Sequence, residues 1–589
     1  MAEKIISPGV FTNEIDQSFL PAAIGEIGAV VIGPTVKGPA LVPTVVSSYG
    51  EFQEKFGSTF KSGSSTYNYL TSTTAQNYLK NSGRLTVVRT LAGNFSDSSA
   101  SISASVGSVA EKSFKIHTLT HGSASNNLVD KGLLPTTNNI IPSGTKDQIR
   151  YEISNVNNSK GTFTLLVRSG NDTIKRKQVL ETWSNLSLDP NQKNYISKVI
   201  GDVDQQFKSD DGYYIKNVGD YPNKSKYIRV SAVKDTIDYL DENGQIRVSS
   251  ASGSLPAVGS GSQHGSFGGG SDGDVSAFGI GDGLYDKITT AANVQGLNLT
   301  VGQTGHQAYL NALNLMSNQD EYDINMILIP GVIQGITGPS AIVDKAIQVC
   351  EDRGDAFTVV DPVAYGSTIS QATTEAEAYD SNFAAMYWPW VQVPENELGR
   401  NIWVPPSVVI PGIYAFNDKV AHPWFAPAGL NRGGIDVAVQ AERKLTQGNR
   451  DTLYDANVNP IATFPGQGVC VWGQKTLQKK SSALDRVNVR RLMIAVKKFI
   501  ASTSRFLVFE QNSPATRKKF LNVVNPYLEQ VQSNSGLSAF KVVMDDTNNT
   551  PDVVDRNILY GQLFLQPTRT AEFVVLDFTV QPTGATFPE

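Results

Sequence analysis

Residues 324–360, INMILIPGVIQGITGPSAIVDKAIQVCEDRGDAFTVV, read as strand, helix and strand in immediate succession. The run 324–329 is nearly continuous in apolar side chains, as expected of a strand covered on both faces rather than one with a wet side. A helix is predicted over 339–352 and a second apolar strand over 356–360. With the helix expected over 307–316, the same alternation occupies residues 281–477 and predicts a mostly parallel sheet with helices on both faces. Asp361 ends a strand, where functional carboxylates of such sheets often stand. Beside Pro362 it is better read as a turn former.

The same texture appears upstream. Residues 24–32 form an apolar strand, 49–57 a short amphipathic helix closed by Gly57, 67–79 a second helix and 85–89 a strand. The turn Gly33-Pro34-Thr35-Val36-Lys37-Gly38-Pro39 is a near miss for a phosphate-binding loop. Pro39 removes a backbone donor and blocks the helix start that such a loop needs, so the turn is structural. Before it, Pro8 and Gly9 make residues 1–16 an extended arm, in which 10–15 form one short strand without a nearby hairpin partner.

Between 94 and 203 the composition shifts to Ser, Thr and Asn with short alternating runs such as 162–167, the pattern of an inserted β-rich domain. His117 and His121 share a face at a four-residue step, but no third ligand stands near them and the spacing is read as chance. Residues 249–274, ending GSGSQHGSFGGGSDGD, are too poor in apolar groups to pack and are read as a linker returning to the first domain. Gly269-Gly270-Ser271-Asp272-Gly273 fits a nucleophile-elbow pattern without the strand-turn-helix setting that chemistry requires.

Downstream, Val489, Leu492, Val496, Phe499, Thr503 and Phe506 recur at helical steps, with basic side chains on the other faces. Ser513-Pro514 supplies an N-cap and a first-turn proline for a second amphipathic helix, which Pro526 is expected to kink or restart. The period then falls from about 3.6 to 2. Strands are expected near 540–544, over 557–566, and over 571–581, where Phe573, Val575, Leu576, Phe578 and Val580 crowd together. An apolar strand of this kind needs a partner, either in its own domain or at the sheet edge of another copy. The second choice makes a polymer.

A chain of 589 residues is expected to hold about four domains. With 51 glycines and 28 prolines it suits strands and turns more than a helical bundle. Cys350 and Cys470 stand alone, so neither a disulfide framework nor a zinc site is expected, and a reducing compartment is. The start lacks the apolar core of a signal peptide, and no run reaches transmembrane length. A net charge of −5 is too slight to argue for nucleic acid or membrane as a direct partner. Its distribution says more: residues 484–520 carry nine Lys or Arg against two acids, a local +7 that leaves −12 on the rest. That patch is either a solvated helix face or a docking surface for an acidic protein.

From Met386 onward an ordered set of motifs resembles the contractile tail sheath proteins of phages and related injection machines. The set runs through Pro389-Trp390, Val404-Pro405-Pro406-Ser407, Gly412-Ile413-Tyr414-Ala415, Asp418 and Trp424-Phe425-Ala426-Pro427-Ala428. It continues in Asn459-Pro460, Phe464-Pro465-Gly466-Gln467-Gly468, Val471-Trp472-Gly473 and Thr476-Leu477. Ser7-Pro8-Gly9-Val10, Glu14-Ile15-Asp16 and Lys37-Gly38-Pro39 are similar to the family's opening. Phe509-Glu510-Gln511-Asn512 is similar to its Phe-Glu-Pro-Asn, with glutamine for proline.

The resemblance implies a multidomain α/β and β chain. Its subtilisin-like α/β core (24–93 and 281–480) would carry an inserted β-rich outer domain (94–205), reached through a connecting segment and Gly/Ser linker (206–280). An N-terminal arm (1–23) and an α+β polymerisation domain (481–589) would bring both chain ends together. It implies a structural subunit, not an enzyme and without cofactor or metal, that polymerises head to tail around an inner tube and contracts to drive that tube through a host envelope. Implied partners are further copies, the tube protein, and baseplate and tail terminator proteins, in a phage tail assembled in the host cytoplasm. Val10, Phe11, Thr12 and Ile15, with Phe573, Val575, Leu576, Phe578 and Val580, are the expected exchanged strands. Arg490, Arg491, Lys497, Lys498 and Arg505 are the expected tube-facing group. The rival readings are a serine hydrolase on the core, against which stand the absent His-Gly-Thr-His and Gly-Thr-Ser-Met contexts, and a host-binding fibre, which would lack the long α/β core.

Overall fold

The near-continuous apolar run at 324–328 does form an inner strand, and it lies at the centre of an eight-stranded sheet in a computed structural model. The structure describes residues 27–573 except 63–64, 106–111, 125–145, 148, 171, 173–175, 249–250, 263–264 and 276–284. The chain divides into two units, Gly28–Ala495 with Pro567–Glu589, and Met1–Ile27 with Val496–Gln566. We call the first the α/β unit and the second the end unit.

The strands of the large sheet are numbered in chain order: β1 (Gly28–Gly33), β2 (Thr44–Val46), β3 (Leu85–Arg89), β4 (Ile324–Leu328), β5 (Phe357–Val360), β6 (Ala384–Trp388), β7 (Val458–Phe464) and β8 (Gly468–Val471). Their spatial order is β2-β3-β1-β4-β5-β6-β7-β8. The six inner strands are parallel, in register at Ala29↔Met326, Met326↔Phe357, Thr358↔Ala384 and Met386↔Val458. The two edge strands run antiparallel to their neighbours. Every residue of β1, β3, β5 and β6 is buried, which is why these segments show no alternation in sequence. Helices Leu70–Leu79 and Pro406–Val420 pack on each other, as do Thr304–Leu315 and Pro339–Arg353, and β1 touches a helix of each pair. The Phe464-Pro465-Gly466-Gln467-Gly468 motif is the β7–β8 hairpin turn. Gly466 and Gly468 sit there at φ 73° and 78°, a region that a side chain would strain.

Between β3 and β4 the chain builds a second hydrophobic core. A four-stranded sheet has the order Ile228–Ser231, Lys112–His121, Phe95–Ser103, Ser271–Asp272, and a three-stranded one is made of Ile149–Asn157, Thr162–Ser169 and Val179–Ser187. Ile102, Phe114, Ile153, Phe163 and Leu165 share their core with Ile228, Val230, Leu255 and Phe267. This corrects two expectations: the insert does not end at 205, and residues 249–274 are not a linker. Where described, the Gly-rich tract is a strap laid on the sheets, with Ser271–Asp272 pairing with Phe95 and Ser96 and Gly268 bridging Ser99. Its glycines serve close approach, since a Cβ on Gly270 would stand 2.2 Å from Gly122 O and Ser98 Oγ. At one end of the three-stranded sheet, Arg168 bonds Asp172 and Glu152 at 2.7 Å each, and all three side chains are buried.

The predicted amphipathic helix is Val487–Ser504, and the unit boundary falls within it. In the end unit, Ser513 caps the Pro514–Ser533 helix, which buries Phe520, Val524, Leu528 and Val531. Pro526 does not restart this helix, which runs unbroken to Ser533. Phe499 stacks on Tyr527 with ring centroids 3.7 Å apart. Strands Leu537–Val543 and Gln562–Pro567 form a two-stranded sheet. Asn549 ties their connection, donating to Tyr560 O and accepting from Tyr560 N–H, both at 2.8 Å.

Candidate assembly interface

A sheet of two strands is marginal by itself in water and presents unpaired backbone donors and acceptors along its outer sides. Among the described residues, neither Leu537–Val543 nor Gln562–Pro567 has a further strand beside it. Their side chains are mostly exposed or half-buried, Phe564 being 56% exposed. Among the described residues it is an open sheet edge, of the kind that a strand from elsewhere completes. The expected donor residues Val10, Phe11, Thr12, Ile15, Val575, Leu576, Phe578 and Val580 lie outside the described residues. Phe573 is described and is 78% exposed.

The approach to Phe573 is ordered by a contact that the sequence reading missed. Glu572 accepts from Tyr454 OH at 2.7 Å, from Arg486 Nε at 2.7 Å and from Gln474 Nε2 at 3.1 Å, and Gln474 also donates to Thr570 Oγ1 at 2.8 Å. Burial works against the charge of this carboxyl, yet Arg486 and Tyr454 hold it below the usual range. A pocket of about 380 Å³ adjoins the contact, walled by Ala428, Pro460, Trp472 and residues 570–573. The available signal was a carboxylate at the head of an apolar run, with a tyrosine, a glutamine and an arginine too distant in sequence to be matched to it.

The basic helix is corrected in part. Arg490, Arg491 and Lys498 are buried, whereas Lys497 and Arg505 are exposed. Arg490 lies 4.2 Å over the Phe383 ring and donates to Asn382 at 3.2 Å, and burial lowers its pKa to about 10. Arg491 pairs with Asp418 at 2.5 Å and lies 4.7 Å over Tyr414. Half of the charge on this helix therefore serves packing inside the subunit, because a guanidinium stacks on rings and forks onto a carboxylate where an ammonium cannot. A tube-facing role is withdrawn for Arg490, Arg491 and Lys498.

The residues of the rival chemistry are occupied structurally. Asp361 accepts from Ser407 N–H at 2.9 Å and from Ser407 Oγ at 2.5 Å, so its carboxyl closes the start of the Pro406–Val420 helix. Among the described residues, no histidine bonds to either. His117 bonds Asp97 at 3.1 Å and Ser231 at 2.9 Å. His121 accepts from Ala40 N–H at 3.0 Å, and burial lowers its pKa to about 4. Ser271 sits in a short strand, not in an elbow before a helix. Other motif residues are likewise internal: Asn459 donates to Met386 O and Lys475 O and accepts from Lys475 N–H, tying β6 to the segment after β8.

These features agree with what the chain is similar to. Residues 302–477 match the phage tail sheath protein central domain, and residues 479–581 match the phage tail sheath C-terminal domain. The tail sheath protein of Vibrio phage KVP40 is 32% identical over 336 residues, covering 55% of this chain and 47% of that protein. The tail sheath protein of Enterobacteria phage T4 is 38% identical over 298 residues, covering 48% of this chain and 45% of that protein. The matched stretch thus spans a little under half the length of either relative. A crystal structure of a sheath tail protein from Listeria innocua matches over 90% of both chains with a TM-score of 0.50 at 9% identity, a likeness of fold alone. The two matched stretches, residues 302–477 and 479–581, are similar to phage tail sheath domains.

Proposed function

We propose that this chain is the structural subunit of a contractile tail sheath, polymerising head to tail around an inner tube and shortening to drive the tube through a host envelope. The observation that carries the reading is the two-stranded sheet, without a further strand on either side among the described residues, which lies within residues that match the sheath C-terminal domain. A strand of residues 10–15 and a strand of residues 573–580, each donated to a neighbour's end unit, would complete that sheet and knit a mesh. Main-chain hydrogen bonds would then act as hinges while the α/β units move as rigid bodies between a long and a short packing. No nucleotide enters this scheme. The work of contraction is stored at assembly in a kinetically trapped long form and released at the baseplate. The partners are other copies, the tube, the baseplate and a tail terminator, and the place of action is the phage tail, built in the host cytoplasm.

Lys497 and Arg505, the exposed members of the basic group, are the residues assigned to the tube. Individually weak surface pairs of about 0–1 kcal/mol would guide winding yet release during contraction. The parallel centre of the large sheet, with helix pairs on it, supports a subtilisin-like description of the core, without its chemistry.

Negative-stain microscopy of the purified full chain tests the reading. Tubes with a periodic wall are expected at high protein concentration. Monodisperse particles at every concentration and salt, together with labelling by a serine-reactive probe, would transfer the chain to the hydrolase reading.

A further inference from the structure

The chain leaves the end unit at Gln566 and rejoins the α/β unit. After Pro567, the described residues up to Phe573 form neither helix nor strand. They nevertheless alternate: Thr570 and Glu572 are turned inward, while Ala571 and Phe573 are exposed. A segment of this kind, without a ladder or a large apolar face, keeps its place only through discrete contacts. Glu572 supplies the main one.

Its three donors come from three separate places. Tyr454 stands on the Gln447–Asp455 helix, Gln474 on the segment after β8, and Arg486 directly before the Val487–Ser504 helix. Two of the three have side-chain contacts besides Glu572 and its segment. Arg486 also pairs with Asp485 at 3.1 Å, and the Tyr454 ring carries Lys475 Nζ at 4.4 Å on its face. The arginine and the tyrosine are thus placed by contacts besides this carboxylate, and the bonds of all three donors to it are charge-assisted, about twice as strong as neutral ones. Such convergence differs from a surface ion pair between two mobile side chains.

We propose that Glu572 is a positioning residue that fastens the chain to the α/β unit immediately before the stretch assigned to strand exchange. Whatever residues 573–580 bind is then coupled mechanically to the α/β unit and not to the end unit alone. In a sheath this gives force a direct path from one copy's α/β unit to the next copy's end unit. That consequence rests on the sheath reading, but the fastening itself does not.

The test is a nitroxide placed by Phe573→Cys in the otherwise intact monomeric chain. Position 573 is exposed while Cys350 and Cys470 are buried, so labelling is selective. An electron paramagnetic resonance spectrum dominated by slow motion is expected with Glu572. Glu572→Ala should speed that motion about fivefold or more, and Glu572→Gln, which retains one acceptor, should fall between. A second label at the exposed Val301 should respond to neither change, which separates release of the segment from general loosening of the fold. Equal mobility at 573 with and without Glu572 overturns the proposal. Absence of tubes from the unaltered chain would count against the sheath reading instead and leave the label result standing.

Discussion

A carboxyl sealed inside a protein reports on pH through the proton it retains. Asp361 is fully buried, and burial raises its pKa to about 7, against the two hydrogen bonds from Ser407 that favour the charge. In the unfolded chain an aspartate titrates near 3.9, so between about pH 4 and 7 the folded state binds the extra proton. Stability from this group is therefore complete below the unfolded value and declines as pH rises to about 7, above which it is flat. Asp361→Asn retains an acceptor for Ser407 and cannot ionise. Urea titrations at pH 4.5 and 8 should show the wild type losing about 3 kcal/mol relative to this variant over that interval. An unchanged gap would mean that Asp361 is ionised inside the fold at both values. Arg168 makes the opposite case, a buried cation shared by two carboxylates. Arg168→Met should lower the stability of the insert by about 1.5–3 kcal/mol, because Asp172 and Glu152 each lose one charged partner and keep only Arg150 and Lys177. Tryptophan fluorescence from Trp183, which lies on a strand of the same sheet, follows that unfolding.

At the scale of elements, periodicity was an accurate guide wherever a segment buries one surface consistently. The strands at 324–328 and 357–360, the helix Pro339–Arg353 and the Ser513 cap stand where the apolar spacing and turn chemistry predicted them. Two kinds of element escaped. The strap at 265–275 has few apolar side chains, because apart from Phe267, which enters the core, it is the backbone that meets the sheets. A composition that reads as flexible is here the composition required for close approach. Gly270→Ala should cost about 1–3 kcal/mol in thermal unfolding, since the added methyl meets the Gly122 carbonyl. Gly268→Ala, with open space at the same site, should stay within about 0.5 kcal/mol. Equal effects of the two would restore the linker reading. The basic helix escaped for another reason. Charge on a helix says nothing of which cations stack inward until Phe383, Tyr414 and Asp418 are known to lie beside it. The contact of Glu572 joins residues some 118 positions apart, a pairing that no local pattern carries.

For the whole molecule, the proposed exchange and the proposed fastening make separable demands on the same few residues. Removing everything after Phe573 deletes Val575, Leu576, Phe578 and Val580 but leaves Glu572 with its three donors. Removing everything after Thr570 deletes both. Neither cut touches the large sheet or the core of the insert, so both chains should remain folded, with circular dichroism spectra matching the full chain. If residues 573–580 are the exchanged strand, both truncations abolish tubes, and so does deletion of residues 1–16, because each leaves a two-stranded sheet without its donated partner. The difference between the two cuts lies in the monomer. Gln474, Tyr454 and Arg486 lose their shared acceptor only in the shorter chain, so exchange of the Gln474 side-chain amide protons with solvent should quicken there and not in the longer one. Tubes of normal yield from the chain ending at Phe573 would eliminate strand donation by this segment. Tubes from that chain but not from the shorter one would move the assembly determinant from the apolar run to Glu572 itself.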